Sequence, residues 1–142
     1  MMETYDFGNG PVSAHRHSNG DGWVANSASV ADTVRVTPDS LVYDNAVIEG
    51  DVLVCGFSRI CGEARLSGNV TVCEESCVFE NAIIRDDAWI CAGSKIHGNC
   101  EISGKVYVSG NISGNVKISD NARVWGDVSG YTVISGNTVF ND

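Results

Sequence analysis

From Val24 onward the chain places a branched apolar residue at every sixth position. The series runs Val24, Val30, Val36, Val42, Ile48, Val54, Ile60, Leu66, Val72, Val78, Ile84, Ile90, Ile96, Ile102 and Val108. Two positions before these residues stand small ones, such as Ala28, Val34, Ser40, Ala46, Val52, Ser58 and Ala64, and two positions after most of them comes Gly, Asp or Asn. Residues two apart on an extended chain point to the same face, so each hexad predicts a short strand with its small and branched residues turned inward. The Gly-Asn, Asp-Asn and Gly-Asp pairs that follow tolerate the positive φ of a sharp corner. No segment carries apolar residues at i, i+3, i+4 and i+7 among good helix formers, so almost no helix is expected.

A hexad is one side of a coil, and two features set the number of sides at three. Sorting the small positions by every third hexad gives the columns Ala28, Ala46, Ala64, Ala82; Val34, Val52, Val70; and Ser40, Ser58, Ser76, Ser94, so like residues recur every 18. In parallel coils each strand pairs with its equivalent one coil on, at about 4.8 Å, which stacks such residues. The rhythm then breaks: Val108 to Ile112 is a step of four, and the same step returns from Val124 to Val128, 16 residues later. One corner in three therefore loses two residues, and there the serine column continues as Gly110 and Gly126. The pattern predicts an all-β fold, a triangular parallel β-helix of about seven coils, 18-residue coils followed by 16-residue coils. At about 4.8 Å per coil the prism is roughly 34 Å long. Residues 1–22 form an N-terminal cap and 23–142 the single β-helix domain.

Composition narrows the class. The 142 residues with 43% apolar content suffice for one continuous core. The region before Trp23 has no apolar run flanked by positive charge, and nothing later approaches about 18 consecutive apolar residues, so neither signal peptide nor membrane span is expected. The net charge is −9, with nine scattered Lys and Arg. No basic stripe tracks a phosphate backbone, which argues against nucleic acid as a direct ligand.

Over residues 24–140 the pattern resembles the hexapeptide-repeat proteins, and the resemblance implies coils that wind left-handed. One departure is that Gly lies one position later than in the usual enzyme repeat, as in IEGDVLV and LSGNVTV. The Ala-x-Val-x-Gly-Asn version, entered through HRHSNGDGWVA (His15 to Ala25), is similar to bacterial and phage proteins labelled acyltransferases on the strength of fold, and fold does not imply function.

The resemblance implies what an enzyme of this kind needs: a His base at a subunit boundary, a coenzyme A-type or acyl-carrier donor, an extruded loop and a C-terminal helix. His97 is the candidate base, on an outward column with Tyr43, Cys61, Phe79 and Ser113. No hexad between 24 and 108 is interrupted by a loop, and Lys95, Lys117 and Arg123 form no phosphate clamp. A zinc site of the kind known among such trimers needs three converging His, whereas His15 and His17 lie in the cap, about four coils from His97. Cys55, Cys61, Cys73, Cys77, Cys91 and Cys100 contain no CxxC, and no metal or cofactor is expected. Cys55, Cys73 and Cys91 are 18 apart and form an outward thiol column suited to a reducing cytosol.

That column shares its side with Leu53, Trp89, Tyr107 and Trp125, which makes the side apolar and aromatic and the expected interface. The adjoining side, with Ser67, Ser103, Ser119, Ser135, Arg65, Glu101 and Lys117, is polar. The open coil ends need cover: Tyr5, Phe7 and Trp23 can fold over the first coil, whereas VFND supplies no cap. The leading expectation is a non-catalytic, cytoplasmic β-solenoid acting as a rigid binding or scaffolding module, a homo-dimer or trimer with an acidic surface open to a protein partner. A phage-type inhibitor acting in the host cytoplasm is one form of it. The alternative is a hexapeptide-repeat acyltransferase using a coenzyme A-type donor.

Overall fold

The computed structural model describes residues 3–141. Among them are 22 short strands and no helix. The strands form three sheets that run along the molecule, one per side of the coil. The first face is built from Trp23–Ala25, Leu41–Val42, Arg59–Ile60, Cys77–Val78, Lys95–Ile96 and Asn111–Ile112. The second runs from Ser29–Val30 to Val133–Ile134, and the third from Arg35–Val36 to Val139–Asn141. Pairing between coils is parallel and in register. Arg65 pairs with Val47 and Ile83 at a spacing of 18, whereas Lys95 pairs with Asn111 and Glu101 with Lys117 at a spacing of 16. The expected solenoid of about seven coils, with its change of coil length, is therefore the fold.

The hexad pattern fills the axis. Each side turns one branched and one small residue inward, and columns such as Val54, Val72, Ile90, Val108 and Val124 are wholly buried. Phe140 follows Val124 in register and packs on the same core, placing a ring across the axis in the last coil.

The corners explain the glycine and aspartate content. The turn from first to second face holds Asp44, Gly62, Glu80, Gly98 and Gly114 in one column, all left-handed at φ between 57° and 83°. Asp occupies such a site with little strain and also accepts a hydrogen bond from the coil below: Asp44 from Gly62 N–H at 3.0 Å, Asp86 from Gly104 at 2.9 Å, Asp120 from Gly136 at 2.9 Å. The turn from third to first face is wider and uses two left-handed residues in succession: Gly56-Phe57, Glu74-Glu75 and Ala92-Gly93. The backbone of Lys95 bonds Gly110 as that of Cys77 bonds Ser94, so Gly110 is the counterpart of Ser94. The two residues lost in the 16-residue coils are thus the left-handed pair. A Cβ on Gly110 would run into the carbonyl oxygen of Gly126, so the narrower corner requires glycine where the wide corner has serine.

Those serines are wholly buried and form a ladder. Ser58 N–H donates to Ser40 Oγ at 3.3 Å, Ser76 to Ser58 at 3.3 Å, Ser94 to Ser76 at 3.2 Å and Gly110 to Ser94 at 3.0 Å. The ladder satisfies amides that the wide corner turns away from any strand partner.

At the N-terminal end, strand Pro11–Arg16 (β2) pairs antiparallel with Trp23–Ala25 (β3), and Thr4–Asp6 (β1) pairs antiparallel with β2, continuing the first sheet. Tyr5, Phe7 and Trp23 make a small outer cluster in which Phe7 stacks on Tyr43 at 4.9 Å. The link between β2 and β3 closes the top of the third face: Val36 N–H donates to Asn19 O at 3.0 Å, Gly22 N–H to Val36 O at 2.9 Å, and buried His17 places Nε2 2.6 Å from Val34 O. A carbonyl only accepts, so His17 carries its proton on Nε2.

Candidate functional site

The third face brings together the seven residues expected to form an interface. Leu53, Thr71, Trp89, Tyr107 and Arg123 stack in one register column; Ser109 and Trp125 pair in the next. The rings form a ladder along the axis, Trp89 to Tyr107 at 6.5 Å and Tyr107 to Trp125 at 5.9 Å between centroids. Trp89 is 49% and Trp125 37% exposed, while Leu53, Cys55 and Tyr107 are half-buried. Cys73 and Cys91 lie beneath this layer, buried. The Trp89 indole lies beside the Cys73 sulfur, and Cys91 Sγ donates to the Tyr107 hydroxyl at 2.9 Å. Burial pushes the Cys55 and Cys73 thiols up, and the adjacent Cys91 sulfur, which as a thiolate accepts from the phenol O–H, pushes Tyr107 up to about 12. Cys55 and Cys73 are therefore weak nucleophiles that pad the aromatics.

The outward strand positions of this face, from Arg35 to Asn141, include no carboxylate. The acids gather instead in the corners, as Asp32, Asp51, Asp86, Asp87 and Asp120 along one edge, Asp39, Glu74 and Glu75 along another, and Asp44, Glu63 and Glu80 along the third. The second face is mixed, pairing Lys117 with Glu101 at 3.7 Å and exposing Val133.

His97 lies on the first face. Its ring stacks flat on Phe79, with centroids 4.6 Å apart and an interplanar angle of 6°. Nδ1 is 3.0 Å from Glu80 Oε1 and Nε2 is 3.1 Å from Asn111 Oδ1, so both nitrogens are engaged. A base must offer a lone pair to substrate, and this geometry frees neither nitrogen until one contact opens. His15 sits apart in the cap, joined to Asn26 at 2.6 Å. The three histidines do not converge, and among the described residues no group of three or more His, Cys, Asp or Glu is placed to hold a metal ion.

Beside His97 is a groove of about 350 Å³ lined by Tyr43, Arg59, Cys61, Cys77, Phe79 and Lys95. Sequence reasoning missed Arg59 here, although Arg59, Cys77 and Lys95 stand 18 apart and pair in one column. Burial, then Cys61, pushes Tyr43 up to about 12, and burial pushes the Cys61 thiol up. A larger cleft of about 840 Å³ follows the edge between second and third faces. Several of its polar side chains hold neighbouring turns, as Asp86 and Asp120 do for Gly104 and Gly136, and Asn69 does for Asp87. No helix among the described residues is long and apolar enough to cross a membrane. Comparison with known proteins finds no matching family model and no matching curated protein.

Proposed function

We propose that the chain is a non-catalytic β-solenoid of the hexapeptide-repeat kind, wound left-handed, that serves as a rigid oligomeric binding and scaffolding module. The observation that carries this reading is the exposed Trp89–Tyr107–Trp125 ladder on a face without carboxylates, in a chain of net charge −9. Acidic edges flank that face, so two copies meet through aromatic surface while their corner carboxylates stay in water. Rigidity follows from coils held by continuous parallel ladders and an unbroken core. The edges line up carboxylates along a short rod, so a basic groove on a host protein is the partner chemistry this reading includes, as in a phage-type inhibitor.

Acyl transfer from a coenzyme A-type donor, with His97 as base, is the second reading. Its specific support is the Glu80 carboxylate on Nδ1, which orients a ring as a base requires. Against it stand the Asn111 contact on Nε2 and the lack of an extruded loop in the described coils.

Sedimentation of wild type and Trp89→Asp tests the first reading. Trp89 is half exposed, so the variant folds, and a charge buried at the centre of an interface weakens it by about 2 kcal/mol or more, roughly thirtyfold. Wild type is expected as an oligomer that the variant breaks; an unchanged monomer in both removes the assembly claim. Saturable acetyl-coenzyme A binding lost in His97→Ala would replace it with the second reading.

A further inference from the structure

We infer that the groove on the first face is a binding site for a small planar organic anion, an aryl carboxylate or aryl phosphate. This goes beyond the assembly reading and does not depend on it, because the groove lies on a different face of the prism. Two independent features point the same way, one electrostatic and one steric.

The electrostatic feature is unpaired positive charge. The chain has twice as many Asp and Glu as Lys and Arg, 18 against 9. Yet the two ion pairs among the described residues are His97–Glu80 and Lys117–Glu101, and neither Arg59 nor Lys95 belongs to one. The parallel register sets Arg59 one rung to one side of Cys77 and Lys95 one rung to the other. At about 4.8 Å per rung, both long side chains reach the space over Cys77. Two carboxylates at the edge beside the groove are committed elsewhere, Glu80 to His97 Nδ1 and Asp44 to the Gly62 amide. Arg59 also lies close enough to the Tyr43 hydroxyl for its charge to favour the phenolate.

The steric feature is the lining. The groove's volume, about 350 Å³, falls within the range of small-molecule sites. Its second column is Tyr43, Cys61 and Phe79, and the His97 ring lying flat on Phe79 extends that wall. Thiols and aromatic rings favour a flat apolar body. The acid group then sits over Cys77 between the two cations, and the ring lies toward Phe79. The resulting charge-assisted hydrogen bonds hold the anion, and the wall selects its shape.

The probe is sodium benzoate, titrated at constant ionic strength into the full chain and followed by amide chemical shifts. Parallel titrations use benzyl alcohol, which has the ring without the charge, inorganic phosphate, which has the charge without the ring, and phenyl phosphate. Saturable shifts centred on Cys61, Cys77, Phe79 and Lys95 are expected with benzoate or phenyl phosphate, and the stronger of the two identifies the acid group. Benzyl alcohol and inorganic phosphate are expected to bind roughly tenfold or more weakly. The double variant Arg59→Gln/Lys95→Gln changes exposed side chains and keeps its melting temperature, and is expected to lose binding by a similar factor; Arg59→Lys/Lys95→Arg retains it. The proposal is overturned by shifts that are absent or centred elsewhere, by undiminished binding in the double Gln variant, or by inorganic phosphate binding as tightly as the aryl anions.

Discussion

Ser76→Ala removes one oxygen from the buried ladder and leaves two backbone groups without partners. Ser76 is wholly buried; its Oγ accepts the Ser94 N–H at 3.2 Å and donates to Cys73 O at 2.8 Å. Ser94 is also wholly buried, so its amide has no route to water. An orphaned buried donor costs about 1–3 kcal/mol, and the lost bond to the Cys73 carbonyl adds about 0.5–1.5 kcal/mol. The sum is about 1.5–4.5 kcal/mol, or roughly 3–18 °C in Tm at 2–4 °C per kcal/mol for a domain near this size. The control is Ser67→Ala, at an exposed position on the second face, where a change within about 0.5 kcal/mol is expected. Urea unfolding followed by circular dichroism measures both. A Ser76→Ala loss no larger than that of Ser67→Ala would refute the reasoning, because the ladder would then contribute nothing that water or a small shift of the corner could not supply.

Two further outcomes follow from the corners and the phenols. Deleting Ala92 and Gly93 turns an 18-residue coil into a 16-residue one, but sets the Ser94 Cβ where the Gly110–Gly126 stack shows there is no room; the deletion alone is expected to melt far earlier than the same deletion combined with Ser94→Gly, and equal melting of the two would contradict the packing account. Burial and the neighbouring Cys61 raise Tyr43, and the Cys91 sulfur, as a thiolate beside the phenol, raises Tyr107, each from 10.0 to about 12. A folded pKa above the unfolded one gives stability that is full below pH 10 and lost as pH rises toward 12. Chemical denaturation across that window is expected to show a decline that Tyr43→Phe and Tyr107→Phe each reduce, and a flat profile would contradict it.

The fold was legible because a solenoid writes its geometry into the chain at a fixed period. Inward and outward positions alternate on every strand, and stacking repeats like residues at 18, so Ala28 to Ala82 and Ser40 to Ser94 reported the number of sides without any long-range reasoning. The step from Val108 to Ile112 even marked the corner that narrows. What the period could not convey was conformation within that corner: Glu74, Glu75 and Ala92 are not residues that signal left-handed backbone, yet their rungs impose it. Burial of Cys73 and Cys91 was equally hidden, since a column read as outward becomes covered when Trp89 and Tyr107 fold down along it. The first-face groove was readable in principle from Arg59, Cys77 and Lys95 at spacing 18. Arg59 stands two coils from Lys95 along the chain, so only the stacking register brings the two cations to one groove. His17 gave no signal at all, because its role depends on the chain crossing over Val34 at the end of the prism.

Assembly through the third face is tested most directly by the indole resonances of the three tryptophans across a hundredfold dilution. Trp89 and Trp125 stand on the face, while Trp23 is held in the cap between Tyr5, at 5.0 Å, and the Arg16 guanidinium, at 4.4 Å, and serves as an internal control. The account predicts that the Trp89 and Trp125 indole signals move or broaden as concentration rises and that Trp23 stays fixed. Three signals unchanged over the whole range, or movement of Trp23 alone, would contradict it.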